Sequence, residues 1–435
     1  MKRFLFVVTM AAALAAGCTG GKVASVTKPD WFTNETYFEE KNGMYEEMPV
    51  YPSNIVMIGD DYIDRGIWHE FFGDTTIKNR GITYDATPHV LYRISRIAAQ
   101  RPRKIFVSVG RNDVLHGTPA DAIVVNIGQI FKRIHKESPK TKCYWLNIVG
   151  TADLSDAQEN VLEAVNEQVK AMAGKGDFEV IDINSALSEG IGEGKYSWDG
   201  GKFLNGAGYE VLAQTIERQI GKPHLNHADD REYPLEVSDY YKHRVSLFRS
   251  LPESDFKIVM LGNSLMNNGM WTELFPMGYL VNRGISGDVI DGVRQRLDEI
   301  LADKPAKIYL ITGTNDLVND PNLPAIEAWN RYEKLLKEVR DLMPGSMLYV
   351  QSMLPLNPKS KFYEGFNARA AEINKMLEAG KDRYDYFYID IASRLSDEKG
   401  DLDERYTTDG IHLNAAGYFV WAAELAKGSR MMVQF

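Results

Sequence analysis

Four short blocks in the second half of the chain hold residue types that together could cleave an ester. They are Gly262-Asn263-Ser264-Leu265, Asn282-Arg283-Gly284-Ile285-Ser286-Gly287-Asp288, Gly313-Thr314-Asn315-Asp316 and Asp409-Gly410-Ile411-His412-Leu413-Asn414. A serine hydroxyl is a poor nucleophile until a neighbouring base takes its proton. His412 has the right free pKa for that work near neutral pH. Asp409 lies three residues before it, a spacing that lets the carboxylate accept from Nδ1–H, fix the tautomer and stabilise the imidazolium. Taken singly, each residue has a duller role: Ser264 as a helix cap, Asn315 and Asp409-Gly410 as turn formers, His412 as a core histidine.

The elements that must position these blocks are strands. Lys257–Gly262, Lys307–Gly313, Ser346–Met353 and Tyr386–Ile391 are short apolar runs, with amphipathic stretches such as Glu327–Leu342 between them. Strand-then-helix alternation predicts a parallel sheet covered on both faces, an α/β fold. In such a sheet the carboxyl ends of the strands share one edge, so three of the blocks can converge there, and the fourth can reach them from a loop.

The same order occurs earlier in the chain. Tyr37–Asp113 matches Tyr240–Asp316 without a gap: Ser264 stands 203 residues after Asp61, and Asn315 stands 203 after Asn112. Shared anchors include Gly59/Gly262, Trp68/Trp271, the Asn-Arg-Gly-Ile runs at Asn79 and Asn282, and Gly110/Gly313. Strands are expected at Asn54–Gly59, Lys104–Gly110, Cys143–Val149 and Phe178–Ile183, and a helix at Val90–Ala99. This is a duplicated domain.

The second copy resembles the SGNH hydrolases, the GDSL esterase family, in which one residue from each block gives the name: here Ser264, Gly287, Asn315 and His412. The resemblance implies two tandem flavodoxin-like three-layer α/β/α domains. It implies a catalytic set of Ser264, Asp409 and His412. It also implies an oxyanion hole built from the backbone N–H groups of Ser264 and Gly287 and the amide of Asn315, with no metal and no cofactor. Asn263 departs from the family's Gly-Asp-Ser-Leu, at a position that none of these roles uses. The Asn-Arg-Gly-Ile-Ser-Gly-Asp block looks like that of platelet-activating-factor acetylhydrolase-like members and carbohydrate acetylesterases. The implied activity is hydrolysis of a small acyl ester, acetyl above all, on a glycan. A lysophospholipase or thioesterase with the same triad, and a non-catalytic glycan-binding lipoprotein, are the alternatives.

The first copy lacks most of this chemistry. Asp61 replaces the serine, Tyr84 the glycine and Phe203 the histidine, and only Asn112 survives. It is expected to fold and not to hydrolyse. Either it packs on the second copy as a structural partner or its crevice binds part of a polymeric substrate. Asp60, Asp61, Asp64, Asp85 and Asp113 could also cluster near a cation. The short span between Ser264 and Gly287 leaves no room for a large lid, which predicts an open, shallow site.

The chain has 435 residues, enough for two domains, and its 44% hydrophobic content is that of a globular protein. A net charge of −10 argues against nucleic acid or anionic lipid as the main partner. Lys2 and Arg3 followed by the apolar run Phe4–Ala16 read as a signal segment, and Leu14-Ala15-Ala16-Gly17-Cys18 resembles a bacterial lipobox. The resemblance implies lipid attachment at Cys18, with membrane contact through that anchor alone, in the cell envelope, at the outer membrane. The division expected is residues 1–18 as lipoprotein signal, 19–36 as tether, 37–221 as the degenerate domain, 222–238 as linker and 239–435 as the hydrolase domain. Cys143, in an apolar run, is expected to be a buried core thiol.

Overall fold

The computed structural model describes residues 35–174, 177–226, 237–253, 257–277 and 279–429. The signal segment, Cys18, nearly all of the tether and most of the linker lie outside the described residues. Two five-stranded parallel sheets are present. The first comprises β1 (Ile55–Gly59), β2 (Ile77–Gly81), β3 (Lys104–Ser108), β4 (Lys142–Leu146) and β5 (Glu179–Ile181), in the order β2-β1-β3-β4-β5. The second comprises β6 (Ile258–Gly262), β7 (Leu280–Gly284), β8 (Lys307–Ile311), β9 (Met347–Gln351) and β10 (Phe387–Ile389), and read from its other edge it has the same order.

Each strand alternates its side chains between two helical layers. Ile55 and Met57 face a core that holds Tyr209 and Leu212, while Val56 and Ile58 face one that holds Val90, Ile94 and Ile127. In the second domain, Val259 and Leu261 pack with Tyr332 and Leu336, and Ile258 and Met260 with Trp271 and Trp421. The helix Thr87–Ala99 shows why the covering layer forms. Pro88 sits at its start, and Val90, Ile94 and Ile97 recur on one buried face.

One strand per domain escapes the sequence reading. β2 (Ile-Lys-Asn-Arg-Gly) and β7 (Leu-Val-Asn-Arg-Gly) carry polar residues where a buried strand would be apolar. They are edge strands, and their polar side chains have assigned partners. Asn282 Nδ2 donates to the carbonyls of Met266, Asn267 and Gly269, and Asn79 makes the equivalent three bonds in the first domain.

The arginines of those runs join the domains. Arg80 makes a bidentate pair with Glu273 at 2.7 and 2.9 Å, and Arg283 makes one with Glu70 at 2.9 and 2.8 Å. Arg283 follows Arg80, and Glu273 follows Glu70, by 203 residues, so the two pairs are related by a pseudo-twofold. Arg283 is pinned a second time by Asp303 at 2.7 Å.

The leading helix of each domain also crosses this boundary. Helix Glu35–Glu47 gives Met44 to the core around Trp271 and Trp421 of the second domain. Helix Asp239–Ser250 gives Tyr241, Val245 and Phe248 to the core of the first. Both helices therefore pack on both domains, whatever boundary is drawn in the sequence. The reason is apolar area: each helix buries one face on the neighbouring domain as well as on its own.

Candidate active site

β6 delivers Ser264. The strand ends at Gly262, where a Cβ would lie 2.0 Å from the Ile311 carbonyl oxygen, so only glycine lets the first two central strands close up here. Asn263 then caps the short helix Ser264–Asn268, its Oδ1 accepting from Leu265 N–H at 3.1 Å. The cap that Ser264 might have provided is thus made by Asn263, and the serine hydroxyl is left for other work. The helix is held from below by Asn282 and by Tyr418, whose hydroxyl donates to the Leu265 carbonyl at 2.8 Å.

The fourth block meets the first in space. Ser264 Oγ lies 3.0 Å from His412 Nε2, and His412 Nδ1 lies 2.7 Å from Asp409 Oδ2. A carboxylate can only accept, so Nδ1 carries the proton and Nε2 is free to accept from the serine. The other oxygen of Asp409 accepts from the backbone N–H groups of Ile411 and His412 at 2.8 and 2.7 Å, which fixes the carboxylate. Burial pushes the Asp409 carboxyl up, but the bond and charge of His412 and these two N–H donors outweigh it and hold its pKa down at about 2. Burial likewise pulls the His412 imidazole down, and the Asp409 bond and charge, with the charge of Glu40, more than reverse this.

The sign of the resulting pH dependence follows. A protonated imidazole cannot take the serine proton, so activity is lost as pH falls through the raised His412 pKa. The acid midpoint of kcat/KM on an uncharged ester is expected above the ordinary imidazole value of 6.5. A midpoint below it would count against His412 as the base.

Gly287 and Asn315 line the same cavity as Ser264, Asp409 and His412. Gly287 has φ +82°, a left-handed backbone that favours glycine, and the space where a Cβ would stand is open. Its role is therefore backbone conformation more than close approach. Asn315 Nδ2 spends one proton on the Asp288 carbonyl at 2.8 Å. The first domain shows where the other proton points. There the equivalent Asn112 Nδ2 donates both to the Asp85 carbonyl and to Asp61 Oδ2, each at 2.9 Å, and Tyr84 N–H reaches Asp61 Oδ1 at 3.3 Å. The Asp61 carboxylate thus occupies the donors equivalent to the Gly287 N–H and Asn315 Nδ2 of the second domain, and Arg111 pairs with it at 3.2 Å.

Asp61, which replaces the serine, is held by partners of its own domain. Tyr84 keeps the positive φ of its glycine counterpart, at +65°, and keeps the donor. The crevice is filled from within by a side chain. Four of the five acidic residues have protein partners, Asp61 among them. Asp64 pairs with Lys41, Asp85 with Arg93, and Asp113 accepts from Thr87.

Two features of the site had no clear signal in the sequence. Arg296 donates to Asp288 at 2.9 Å, to the Arg283 carbonyl at 2.7 Å and to the Gly262 carbonyl at 3.1 Å, tying the second block to the ends of β6 and β7. Arg93 does the same in the first domain, so its recurrence 203 residues earlier was the available clue. The other feature is the wall of the site. The cavity, about 610 Å³, is lined by the first domain as well as the second, through Tyr37, Glu40, Arg65 and Tyr84 opposite Ser264. In place of a lid, a neighbouring domain flanks the triad. Cys143 is buried, and burial, then the Asp177 charge, pushes its thiol up to about 12, as suits a core residue.

Comparison with known proteins gives the family. The family model for the GDSL-like Lipase/Acylhydrolase family matches twice, over residues 59–211 and 262–419. The chain belongs to the GDSL-like lipase/acylhydrolase family. The two matched segments begin at Gly59 and Gly262, the last residues of β1 and β6, and each takes in the other four strands of its sheet. Among curated relatives, platelet-activating factor acetylhydrolase IB subunit alpha1 of Pongo abelii is 28% identical over 123 residues, 27% of this chain and 52% of that protein. The alpha2 subunit of Rattus norvegicus is 24% identical over 176 residues, 38% of this chain and 76% of that protein. The chain spans about half the length of the alpha1 relatives it matches. Among solved structures, a GDSL-like lipase from Bacteroides thetaiotaomicron is 19% identical, with a TM-score of 0.38, covering 43% of this chain and 95% of that one.

Proposed function

We propose that the protein is a serine esterase that removes a small acyl group, acetyl above all, from a glycan ester, through an acyl-enzyme on Ser264. The observation that carries this is the relay Ser264 Oγ–His412 Nε2 at 3.0 Å and His412 Nδ1–Asp409 Oδ2 at 2.7 Å. Ser264 Oγ attacks the ester carbonyl as its proton passes to Nε2. The tetrahedral oxyanion is held by the N–H groups of Ser264 and Gly287 and by Asn315 Nδ2. The alcohol departs with the proton from the imidazolium. Water then attacks the acyl carbon, His412 takes its proton, and the acid leaves as Ser264 regains its hydrogen.

The acetyl preference is supported by the curated relatives, which are acetylhydrolase subunits. In the same reading the first domain is no second hydrolase, since Asp61 cannot be acylated usefully and Phe203 stands where a base is needed. It serves as wall and support for the cavity. Anchoring through a lipid on Cys18, in a bacterial envelope, completes the proposal. Among the described residues no helix is long and apolar enough to cross a membrane.

The test is acetate release from a panel of acetylated glycans, alongside aryl esters of rising chain length, with Ser264→Ala as control. Acetate is expected to be the preferred acyl group. A preference for long acyl chains would favour a lysophospholipase or thioesterase. A wild type inert on every ester at neutral pH would favour a glycan-binding role.

A further inference from the structure

The helix Glu35–Glu47 precedes the first domain, yet it lays a carboxyl group against the triad of the second. A Glu40 oxygen, an Asp409 oxygen and a His412 nitrogen all lie within 4.8 Å of one another. Glu40 is only 7% exposed, and its Oε1 is buried without a hydrogen-bond partner. A buried, unpaired carboxyl oxygen is costly and rare, so its position asks for a reason.

The pseudo-symmetric position shows what a purely structural residue looks like here. His243 follows Glu40 by 203 residues and faces the degenerate site of the first domain. Its Nε2 accepts from Trp198 N–H at 3.1 Å and its ring stacks on Trp198, while its Nδ1 lies 3.6 Å from Asp199 without a hydrogen bond. Glu40 has no such set of partners. The groups that face it are His412 and Asp409 from the fourth block, Lys359 from the segment after β9, and Tyr418 from the last helix, with Glu39 beside it on its own helix. The nearby cations are engaged elsewhere: Lys359 donates to the Thr407 carbonyl and Lys41 pairs with Asp64.

We propose that Glu40 is a positioning residue of the ester-cleaving site, a second carboxyl supplied across the domain interface to the imidazole that takes the Ser264 proton. This rests on the reading of Ser264 and His412 given above. Burial pushes the Glu40 carboxyl up to about 8, while the His412 charge draws it down, so the charge of each group bears on the other. As pH rises Glu40 releases its proton to solvent, and the carboxylate then stabilises the imidazolium formed when Ser264 is deprotonated.

The experiment is the rate of Ser264 modification by an uncharged fluorophosphonate, on the full chain, from about pH 5 to about pH 9.5. The wild-type rate is expected to climb in two steps, the second near pH 8. Glu40→Gln, which keeps the volume and removes the ionisation, should climb in one step to a plateau roughly tenfold lower, the equivalent of one pKa unit. Superimposable profiles would overturn the proposal. So would an equal fall at every pH in Glu40→Gln and Glu40→Ala, which would mark a packing role. If wild-type Ser264 reacts at no pH, the esterase reading fails separately. The NMR titration of the His412 imidazole then decides for Glu40: two coupled steps that become one in Glu40→Gln support it, and an unchanged curve refutes it.

Discussion

Ester hydrolysis by the Ser264→Ala variant is expected to fall by a factor of about 10⁴ to 10⁶, because triad members act as a unit and losing the nucleophile loses the acyl-enzyme path. The fold should be untouched. Among the described residues the hydroxyl bonds to His412 alone, the helix that carries it is capped by Asn263, and Asn282 and Tyr418 hold that helix from below. Steady-state rates on an aryl acetate, with a circular dichroism melt of each protein, check both halves. The converse exchange, Asp61→Ser in the first domain, should create no activity. It frees the oxyanion donors, but Phe203 still occupies the place of the base. A Ser264→Ala protein that keeps a tenth of the wild-type rate would remove the serine from the chemistry.

The second large effect concerns stability and is asymmetric. Glu273→Ala is expected to destabilise the chain by about 3–5 kcal/mol, because it leaves a buried charge without its partner. Arg80 is fully buried, Glu273 is its carboxylate partner, and its Nε already has no hydrogen-bond partner. Glu70→Ala, the pseudo-symmetric change, should cost clearly less, since Arg283 keeps Asp303 at 2.7 and 3.1 Å. Urea midpoints of the two variants measure the difference. Equal losses would mean that Asp303 does not secure Arg283, and no loss from Glu273→Ala would mean that the domains are held together otherwise.

The four blocks were legible because the proposed chemistry restricts residue type: Ser264 follows the apolar strand β6, and Asp409 and His412, in the loop before the last helix, meet it in space. The duplication was legible from the register of Gly59/Gly262 and Asn112/Asn315. β2 and β7 were not, because an edge strand whose Asn and Arg side chains serve other elements loses the apolar signature of a strand. The exchange of helices across the boundary was hidden for a related reason. Met44 and Val245 are apolar, but apolar character does not say whose core a residue enters. Glu40 looked like any acid on a helix until the second domain closed over it. Asp61 was read as an absence, a lost serine, when the carboxylate in fact fills the anion-binding donors of its own domain.

The most direct test is to count where an organophosphonate bonds. After reaction with excess fluorophosphonate, intact-mass and peptide analysis should find one adduct per chain, on Ser264, and none in Ser264→Ala. An adduct in the first domain, or esterase activity that survives with Ser264 unmodified, would contradict a single nucleophile at the end of β6.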